Sequence, residues 1–411
     1  MKTKILFSAL CFLLLLVLSV PCNVAAGERS TWAVLEAIRW LKAHQNADGS
    51  WGEEPLQPAM TSLALLCCLG YGEDHLSHEF GATVRNAITW LVKQQDKDGA
   101  FAWGPGSATQ HAIATYAMAE AYGMTKLEDL RPVVAIAVRR ICDGQTDEGG
   151  WYENYAKADG DGNRLEGGDT CVSGWQIQAL TAAWYAGIRF RNEMLRDART
   201  LAAKDMKSRF RPETGFGDKS VIPPRPKELN DCTTAIGTLS LMFLGERDSP
   251  EVKGGLEIMK TYTCDWKNAD GDRSELPVGG AGPPLLADWE KPAFPVPGPL
   301  RTWYYVTQAM FLSGETPKDN EYWKHWNPLF SHMLVEQQTD YGSWDYPMSE
   351  AGRLERARFQ GKNQLVYSTA MCCLMLEVYY RYLPTYWRLP EVGEDGPDVE
   401  LLEPGKEPPA E

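Results

Sequence analysis

The chain has 411 residues, of which 44% are hydrophobic and 15 are tryptophan, and its formal net charge is −14 at pH 7. A phosphate backbone repels such an acidic protein, which argues against nucleic acid as a partner. The apolar content would supply a larger core than one ordinary globular domain builds, so we expect a repeat architecture.

The N-terminus has the pattern of an export signal. Residues 1–26 combine two lysines, an apolar run over residues 5–20 and small residues at positions 24–26. This order of segments is typical of a secretory signal peptide, so we expect an exported protein, periplasmic or extracellular, that begins near Gly27. Loss of Lys2 and Lys4 would change the charge from −14 to −16. We expect no transmembrane segment, because no later apolar run is long enough.

A unit of two helices recurs six times between residues 32 and 387, at a spacing of roughly 50–65 residues. The first helix of each unit has charged positions, whereas the second is apolar nearly all round, which predicts an outer and an inner helix. The sequence therefore predicts an all-α fold, an (α/α)6 toroid of six helical hairpins over residues 27–390. The acidic, proline-rich segment 391–411 predicts a disordered tail.

A glycine followed by an aromatic residue joins the two helices of most units. A glycine can take a positive φ there, and the aromatic side chain can pack under the outer helix. The glycines are Gly49, Gly99, Gly149, Gly215 and Gly342. The aromatic residues, which we expect to be structural, are Trp51, Phe101, Trp151, Phe216 and Trp344.

The two ends of the row of hairpins are as apolar as its middle. The first inner helix contains Cys67-Cys68 and the last contains Cys372-Cys373. These cysteines have the pattern of small buried hydrophobic residues. An open solenoid would need polar caps at its ends, so we expect the first and last hairpins to touch and close a ring.

The spacing of glutamine, glycine and aromatic residue resembles the QW repeats of squalene and oxidosqualene cyclases. Two stretches carry it: Trp40-Leu41 with Gln45, Gly49 and Trp51, and Met333-Leu334 with Gln337, Gly342 and Trp344. The resemblance spans residues 32–387 and implies the terpenoid cyclase and protein prenyltransferase α/α-toroid superfamily. It also implies an apolar central cavity that accepts an elongated, isoprenoid-like molecule or an apolar protein segment.

The acid motif of the squalene cyclases is altered in this chain. Those enzymes carry Asp-x-Asp-Asp-Thr-Ala at the start of an inner helix, and the similar segment here is Asn230-Asp231-Cys232-Thr233-Thr234-Ala235. Neither Cys232 nor Thr233 can protonate an alkene. Asp231 is displaced by one residue, a rotation of roughly 100° on a helix. We therefore do not expect cyclisation of the squalene–hopene type.

A second segment resembles the zinc-binding motif of the protein prenyltransferase β subunits. It reads Asp169-Thr170-Cys171-Val172-Ser173-Gly174-Trp175-Gln176, and the histidine of that family falls on Cys232. The resemblance implies a zinc site of Asp169, Cys171 and Cys232 with one open position. Two alternatives stay open. Asp169 can be a helix N-cap, and the two cysteines can form a disulfide in an exported protein.

Two further sets of residues are candidates for function. His111 aligns with hydroxyl residues at the starts of the other inner helices. It can act as a catalytic base with Asp231, or it can be a structural histidine. Aromatic residues on inner helices predict a lining for an apolar ligand, with core packing as the alternative. They are Trp175, Trp303, Tyr304 and Tyr367.

An insertion over residues 265–299 is rich in proline and glycine and is expected to fold over one mouth of the ring. The leading hypothesis is a toroid that binds an elongated apolar ligand without the cyclase acid. The alternatives are a zinc-dependent transferase or hydrolase, a lyase that acts on sugar chains, and a non-catalytic scaffold for partner proteins.

Overall fold

The computed structural model describes residues 22–104, 106–158, 162, 165, 167–217, 227–267, 298–314, 319–380, 383 and 385. Most of the predicted signal peptide, most of the 265–299 insertion and the predicted tail 391–411 lie outside these residues. Within them, no helix combines the length and the apolar character that a membrane span requires.

The described part of the chain is almost entirely helical, which confirms the predicted all-α class. Its thirteen helices are α1 (Cys22–Ala43), α2 (Gln57–Gly70), α3 (Gly81–Gln94), α4 (Ser107–Thr125), α5 (Leu130–Asp143), α6 (Thr170–Ala186), α7 (Met194–Ser208), α8 (Lys227–Phe243), α9 (Pro250–Met259), α10 (Pro299–Leu312), α11 (Glu321–Gln337), α12 (Glu350–Ala357) and α13 (Lys362–Glu377). A 3₁₀ turn spans Glu153–Tyr155, and the antiparallel strands β1 (Phe210–Arg211) and β2 (Gly215–Phe216) flank one connection.

Six of these helices form a closed inner layer. Helices α2, α4, α6, α8, α10 and α13 contact one another in this order, and α13 contacts α2 again. The outer helices pack in the grooves between inner neighbours: α3 contacts α2 and α4, and α7 contacts α6 and α8. The predicted meeting of the first and last hairpins is confirmed, because α1 contacts both α11 and α13.

Burial separates the two layers as the sequence pattern predicts. In the inner helix α4, every residue from Ala108 to Gly123 is buried. The outer helix α3 buries Val84, Ile88, Trp90 and Leu91, together with smaller residues, and keeps the rest of its surface in solvent. An inner helix touches protein on all sides, so it is apolar all round, while an outer helix keeps a solvated face.

The turns between outer and inner helices have the predicted geometry. All five glycines have positive φ, between 81° and 111°. The five aromatic side chains that follow them are at most 1% exposed. In three turns the tryptophan indole N–H also donates to the carbonyl ten residues earlier: Trp51 to Leu41, Trp151 to Ile141 and Trp344 to Leu334, at 2.7–2.8 Å.

A glutamine in four of the turns connects each repeat to the next. The side-chain amide of Gln45 donates to its own turn at Gly49 and to the carbonyl of Thr83 in α3. Three other glutamines make the same pair of bonds, and their partners in the next outer helix are Val133 for Gln95, Ala198 for Gln145 and Ala33 for Gln338. The last bond joins the sixth repeat to the first.

This contact corrects the sequence alignment of the last repeat. Gln337 was matched to the motif, but Gln338 lies four residues before Gly342 and makes the two bonds, at 2.7 and 2.9 Å. Gln338 therefore occupies the position of Gln45. The same spacing of four residues to the turn glycine is present at Gln45, Gln95 and Gln145.

We expect Gln338→Ala to lower the free energy of unfolding by about 1–3 kcal/mol, because two hydrogen bonds across the ring closure are lost. Gln337→Ala is the matched control and should change it by less than about 0.5 kcal/mol. Urea unfolding followed by circular dichroism measures both values. Equal losses in the two variants would contradict the assignment of Gln338 as the residue that joins the last repeat to the first.

Candidate functional site at the mouth of the ring

A repeated hydrogen bond sets the orientation of the inner helices where they begin. The backbone N–H of each turn aromatic donates to a side chain near the start of the following inner helix, at 3.0–3.3 Å. The acceptors are Thr61, His111, Ser173, Thr234 and Thr369. They face the outer layer. Residues two positions earlier are rotated by about 200° and therefore face the ring axis.

Cys171, Cys232 and Tyr367 occupy these axis-facing positions. We call the end of the ring where they lie, at the starts of the inner helices, the mouth. Cys171 and Cys232 are buried free thiols that share a hydrogen bond. This bond, with burial, raises the pKa of Cys171, whereas it lowers the pKa of Cys232. Arg301, fully buried in α10, donates from Nη2 to the carbonyl of Cys171 at 2.5 Å. The structure thus brings together the two cysteines that the sequence singled out.

Asp169 has a different position from the one the zinc motif requires. Its carboxylate accepts the backbone N–H of Val172 at 2.9 Å and caps α6. Among the described residues, a single group brings three potential metal donors within 4.8 Å of one another, and it does not contain Asp169, Cys171 or Cys232. Asp169 is therefore the N-cap of α6, one of the alternatives above. Asp169, Cys171 and Cys232 do not come together as the predicted zinc ligands.

Sequence reasoning missed the carboxyl group of Glu355, which lies beside these residues. The short helix α12 places Glu355 against the start of α10, where it accepts the N–H groups of Leu300 and Arg301 at 3.1 and 3.2 Å. The Tyr367 hydroxyl donates to it at 3.4 Å. Burial raises the pKa of Glu355 to about 8, although these hydrogen bonds act in the opposite direction. The group is therefore mostly protonated at neutral pH.

Glu153 has the same role across the ring, at the start of α4. It lies in the 3₁₀ turn and accepts the backbone N–H of Thr109 at 3.4 Å and the Thr109 hydroxyl proton, at the start of α4. Burial raises the pKa of Glu153 to about 7. A connection from the neighbouring repeat thus caps an inner helix in both places. The pattern was not visible in the sequence, where an isolated glutamate in a loop suggests a solvated position.

The ring axis below the cysteines is filled by side chains of the chain itself. Trp175 stacks on Tyr304 with ring centroids 5.7 Å apart and meets Tyr305 edge-on at 5.8 Å. Gln178 accepts from the Tyr304 hydroxyl at 3.1 Å and donates to that of Tyr305 at 2.9 Å. At most 1% of each of these residues is exposed. Trp175 and Tyr304 therefore form the floor of the mouth, as the core-packing alternative describes.

The other two predicted lining residues take separate positions. Tyr367 faces the axis and stacks on Phe359 at 4.2 Å, with Tyr346 at 6.3 Å. Trp303 packs against Trp266 in the connection after α9, with ring centroids 6.3 Å apart. Tyr367 is thus a wall of the mouth, whereas Trp303 belongs to the aromatic packing of the fifth turn.

His111 makes the contacts of a structural histidine, one of the two alternatives that the sequence left open. Its Nδ1 accepts the Phe101 N–H at 3.3 Å, and its Nε2 lies 3.1 Å from the carbonyl of Ala137 in α5. Burial lowers its pKa to about 4, so the ring is neutral at pH 7. With both nitrogens bonded to the outer layer, His111 cannot exchange protons with Asp231. Asp231 itself is half-buried in α8.

Comparisons with known proteins match this architecture. No protein-family profile matches the chain. A squalene–hopene cyclase of Zymomonas mobilis is 34% identical over 107 residues, which is 23% of this chain and 14% of the cyclase. The type II terpene cyclase MstE of Scytonema, solved with its product merosterolic acid A, superimposes with a TM-score of 0.53 at 15% identity, over 88% of this chain and 99% of MstE.

The chain therefore has the helical toroid fold that MstE has. The matched segment spans about one seventh of the length of the squalene–hopene cyclase. A GH76A α-1,6-mannanase of Salegentibacter also superimposes on it, with a TM-score of 0.54 at 10% identity over 86% of this chain and 99% of the mannanase. The likeness to these structures establishes the fold and leaves the chemistry of the toroid to its own side chains.

We expect His111→Thr to remove a pH dependence of the toroid's stability. The folded pKa of about 4 lies below the ordinary value of 6.5, so wild-type stability from this group is complete above pH 6.5 and is lost as the pH falls towards 4. At pH 5 the loss is about 2 kcal/mol. Threonine keeps an acceptor for the Phe101 N–H, as at the equivalent positions, and does not titrate.

The free energy of unfolding in urea at pH 7 and pH 5 tests this expectation. His111→Ala serves as the comparison, because it lacks both the acceptor and the ring volume and should be less stable at both pH values. A threonine variant that loses stability between pH 7 and pH 5 as wild type does would contradict the structural role.

Glu355 should make the free energy of unfolding depend on pH with the opposite sign. Because its folded pKa of about 8 exceeds the ordinary value of 4.5, its contribution is complete below pH 4.5 and declines as the pH rises to 8. We expect Glu355→Gln to make the decline of unfolding free energy between pH 5 and pH 8 shallower by about 1.4 kcal/mol per pH unit.

Glu355→Ala tests the contribution of Glu355 as a helix cap, in addition to its titration. It should flatten the same profile and also lower stability at every pH, by about 1–3 kcal/mol for each backbone N–H left without an acceptor. A glutamine variant with the wild-type slope would show that Glu355 does not titrate as a buried acid.

Proposed function

We propose that this toroid binds an elongated, apolar, isoprenoid-like molecule at the mouth of its ring. The observation that carries the proposal is the indole N–H of Trp175. It lies in the floor of the mouth, 99% buried, and has no acceptor among the described residues. A buried donor without a partner costs about 1–3 kcal/mol, so a ligand oxygen placed above the floor would gain that energy.

The surroundings of Trp175 fit an apolar ligand with a polar end. Its ring packs with Tyr304 and Tyr305, and the stacked pair Tyr367 and Phe359 forms one wall. Aromatic faces bury much apolar area at little cost in side-chain entropy. MstE, which shares the fold, has been solved with its substrate geranylgeranyl dihydroxybenzoate, an isoprenoid that carries oxygen groups.

The ligand would lie above the floor and not along the whole axis. Trp175, Tyr304 and Gln178 pack together across the ring at one level, so the proposed ligand position is on the side where the inner helices begin. Cys171, Arg301 and Tyr367 surround that level. The proposed site is therefore a shallow, aromatic mouth.

The acids at the mouth favour binding over cyclisation. Protonation of an alkene needs a strong acid, whereas burial makes Glu355 and Glu153 weaker acids than an ordinary glutamate, with pKa values of about 8 and 7. Both carboxyl groups also accept hydrogen bonds that cap helices. We therefore propose a binding protein without the acid of the squalene cyclases, which acts outside the cytoplasm because of the signal-peptide pattern of residues 1–26.

A zinc-dependent transferase or hydrolase is the second candidate, and the contact between Cys171 and Cys232 favours it. It would require Asp169 to leave its position as the cap of α6. The sugar-lyase alternative requires His111 as a base, and both nitrogens of His111 are already bonded to backbone groups. A scaffold for partner proteins would use the same mouth for an apolar peptide segment.

Binding of geranylgeraniol, an isoprenoid alcohol, tests the proposal. We expect saturable binding to the full chain and a Kd that is about 5–10 times weaker in Trp175→Phe, because phenylalanine keeps the aromatic floor and removes one hydrogen-bond donor. Equilibrium ultrafiltration with mass-spectrometric detection measures the Kd.

Trp326→Phe is the matched control. Trp326 is also fully buried, but it lies in the outer helix α11 and donates to Thr307 at 2.8 Å. This variant should bind geranylgeraniol within twofold of wild type. No saturable binding, or equal weakening in the two variants, would contradict the proposed site. Binding of an apolar peptide in place of the alcohol would favour the scaffold.

A further inference from the structure

A second cluster of chemically reactive side chains lies away from the mouth, towards the C-terminal ends of α2 and α13. Cys67 comes from α2, and Cys373 and Glu377 come from successive turns of α13. Their two sulfur atoms and one carboxylate oxygen all lie within 4.8 Å of one another. Both thiols are completely buried, and Glu377 is 5% exposed.

Local geometry explains why these groups meet. Cys373 and Glu377 are four residues apart on one helix face, and the Cys373 thiol donates to Glu377 Oε1 at 3.3 Å. The Cys67 thiol of α2 donates to the carbonyl of Ala370 in α13 at 3.5 Å. We call this contact between α2 and α13, where the ring closes, the seam. Gly70 makes room for the carboxyl group, since a Cβ at that position would come within 2.3 Å of Glu377 Oε2.

The cluster leaves one polar atom without a hydrogen bond. Glu377 Oε2 is buried and has no donor among the described residues. Such a group costs about 1–3 kcal/mol and is rare in folded proteins. Burial raises the pKa of Glu377 and of both thiols, which favours the protonated form of all three groups in the absence of a cation.

We propose that Cys67, Cys373 and Glu377 form a binding site for a thiophilic divalent cation of the zinc class. Two thiolates and a carboxylate are donors that zinc and cadmium prefer. Ligands of a tetrahedral zinc ion lie about 3.3–3.8 Å from one another, given bond lengths of about 2.0–2.3 Å. Small side-chain rotations would bring the three donors to these distances.

Binding of the cation would displace three protons, two from the thiols and one from the carboxyl group, and involves no redox step. The resulting site carries one net negative charge, and a fourth, neutral ligand can complete it. Because Cys67 belongs to the first inner helix and Cys373 and Glu377 belong to the last, the cation would join the two helices where the ring closes. This site is separate from the mouth cysteines Cys171 and Cys232.

Titration of the full chain with Cd²⁺ tests this proposal. The chain is purified without an affinity tag, reduced and freed of metal, and the ultraviolet charge-transfer band of cadmium thiolate reports binding. We expect the Cys67→Ser/Cys373→Ser variant to lose one cadmium ion per chain. The Cys171→Ser/Cys232→Ser variant should retain that ion, which distinguishes the seam from the mouth.

Two further variants keep the result independent of folding. Glu377→Gln preserves both thiols and should weaken the Kd for Cd²⁺ at least about tenfold, since it replaces an anionic ligand. Cys372→Ser changes a neighbouring buried thiol outside the cluster and should leave the Kd unchanged. Zn²⁺ should compete with Cd²⁺ and raise the Tm of wild type, because it binds only the folded chain.

Three results would overturn the proposal. The first is loss of the cadmium band in the mouth variant with retention in the seam variant. The second is a Cys67–Cys373 disulfide found by peptide mapping of the native protein, because oxidised sulfurs cannot bind the cation. The third is a Glu377→Gln variant with the wild-type Kd, which decides the question by itself if the serine variant fails to fold.

Discussion

The pair of hydrogen bonds that one glutamine makes to its own turn and to the next outer helix, here called the glutamine clamp, is the contact on which the architecture depends. A side-chain amide has two N–H donors, and in Gln45, Gln95, Gln145 and Gln338 one donor satisfies the turn of its own repeat while the other reaches the next outer helix. Four of the six repeats are thus tied to the repeat that follows them round the ring. Since the last clamp ends on Ala33 in α1, the same contact that stacks the repeats also closes the ring.

Closure of the ring determines the chemistry of its mouth. Inner helices that begin at one level expose their first N–H groups to the same dry space, and connections from neighbouring repeats supply Glu153 and Glu355 as caps. A carboxyl group in such a place accepts hydrogen bonds but cannot be hydrated, so its neutral form is favoured. The mouth consequently combines aromatic walls, two carboxyl groups whose pKa values are raised by burial, and the buried guanidinium of Arg301.

The ring places its two cysteine pairs in different electrostatic environments. The hydrogen bond between Cys171 and Cys232 favours the thiolate form of Cys232, and the buried cation Arg301 lies close to both. Burial raises the pKa of Cys67 and Cys373, and the carboxyl group of Glu377 beside them acts in the same direction. Identical residue types thus acquire distinct reactivity from the helices that face them.

The sequence by itself determined what depends on local periodicity. Helical amphipathicity, the turn glycines and the aromatic residues after them specified an all-α repeat fold and the contact between its ends, because these signals need only neighbouring residues. Tertiary structure decided which side chains share a site. Glu355 and Glu377 are charged residue types whose burial follows only from packing against α10 and α2. His111 aligned correctly with its hydroxyl equivalents, yet only the positions of Phe101 and Ala137 revealed which way its ring faces.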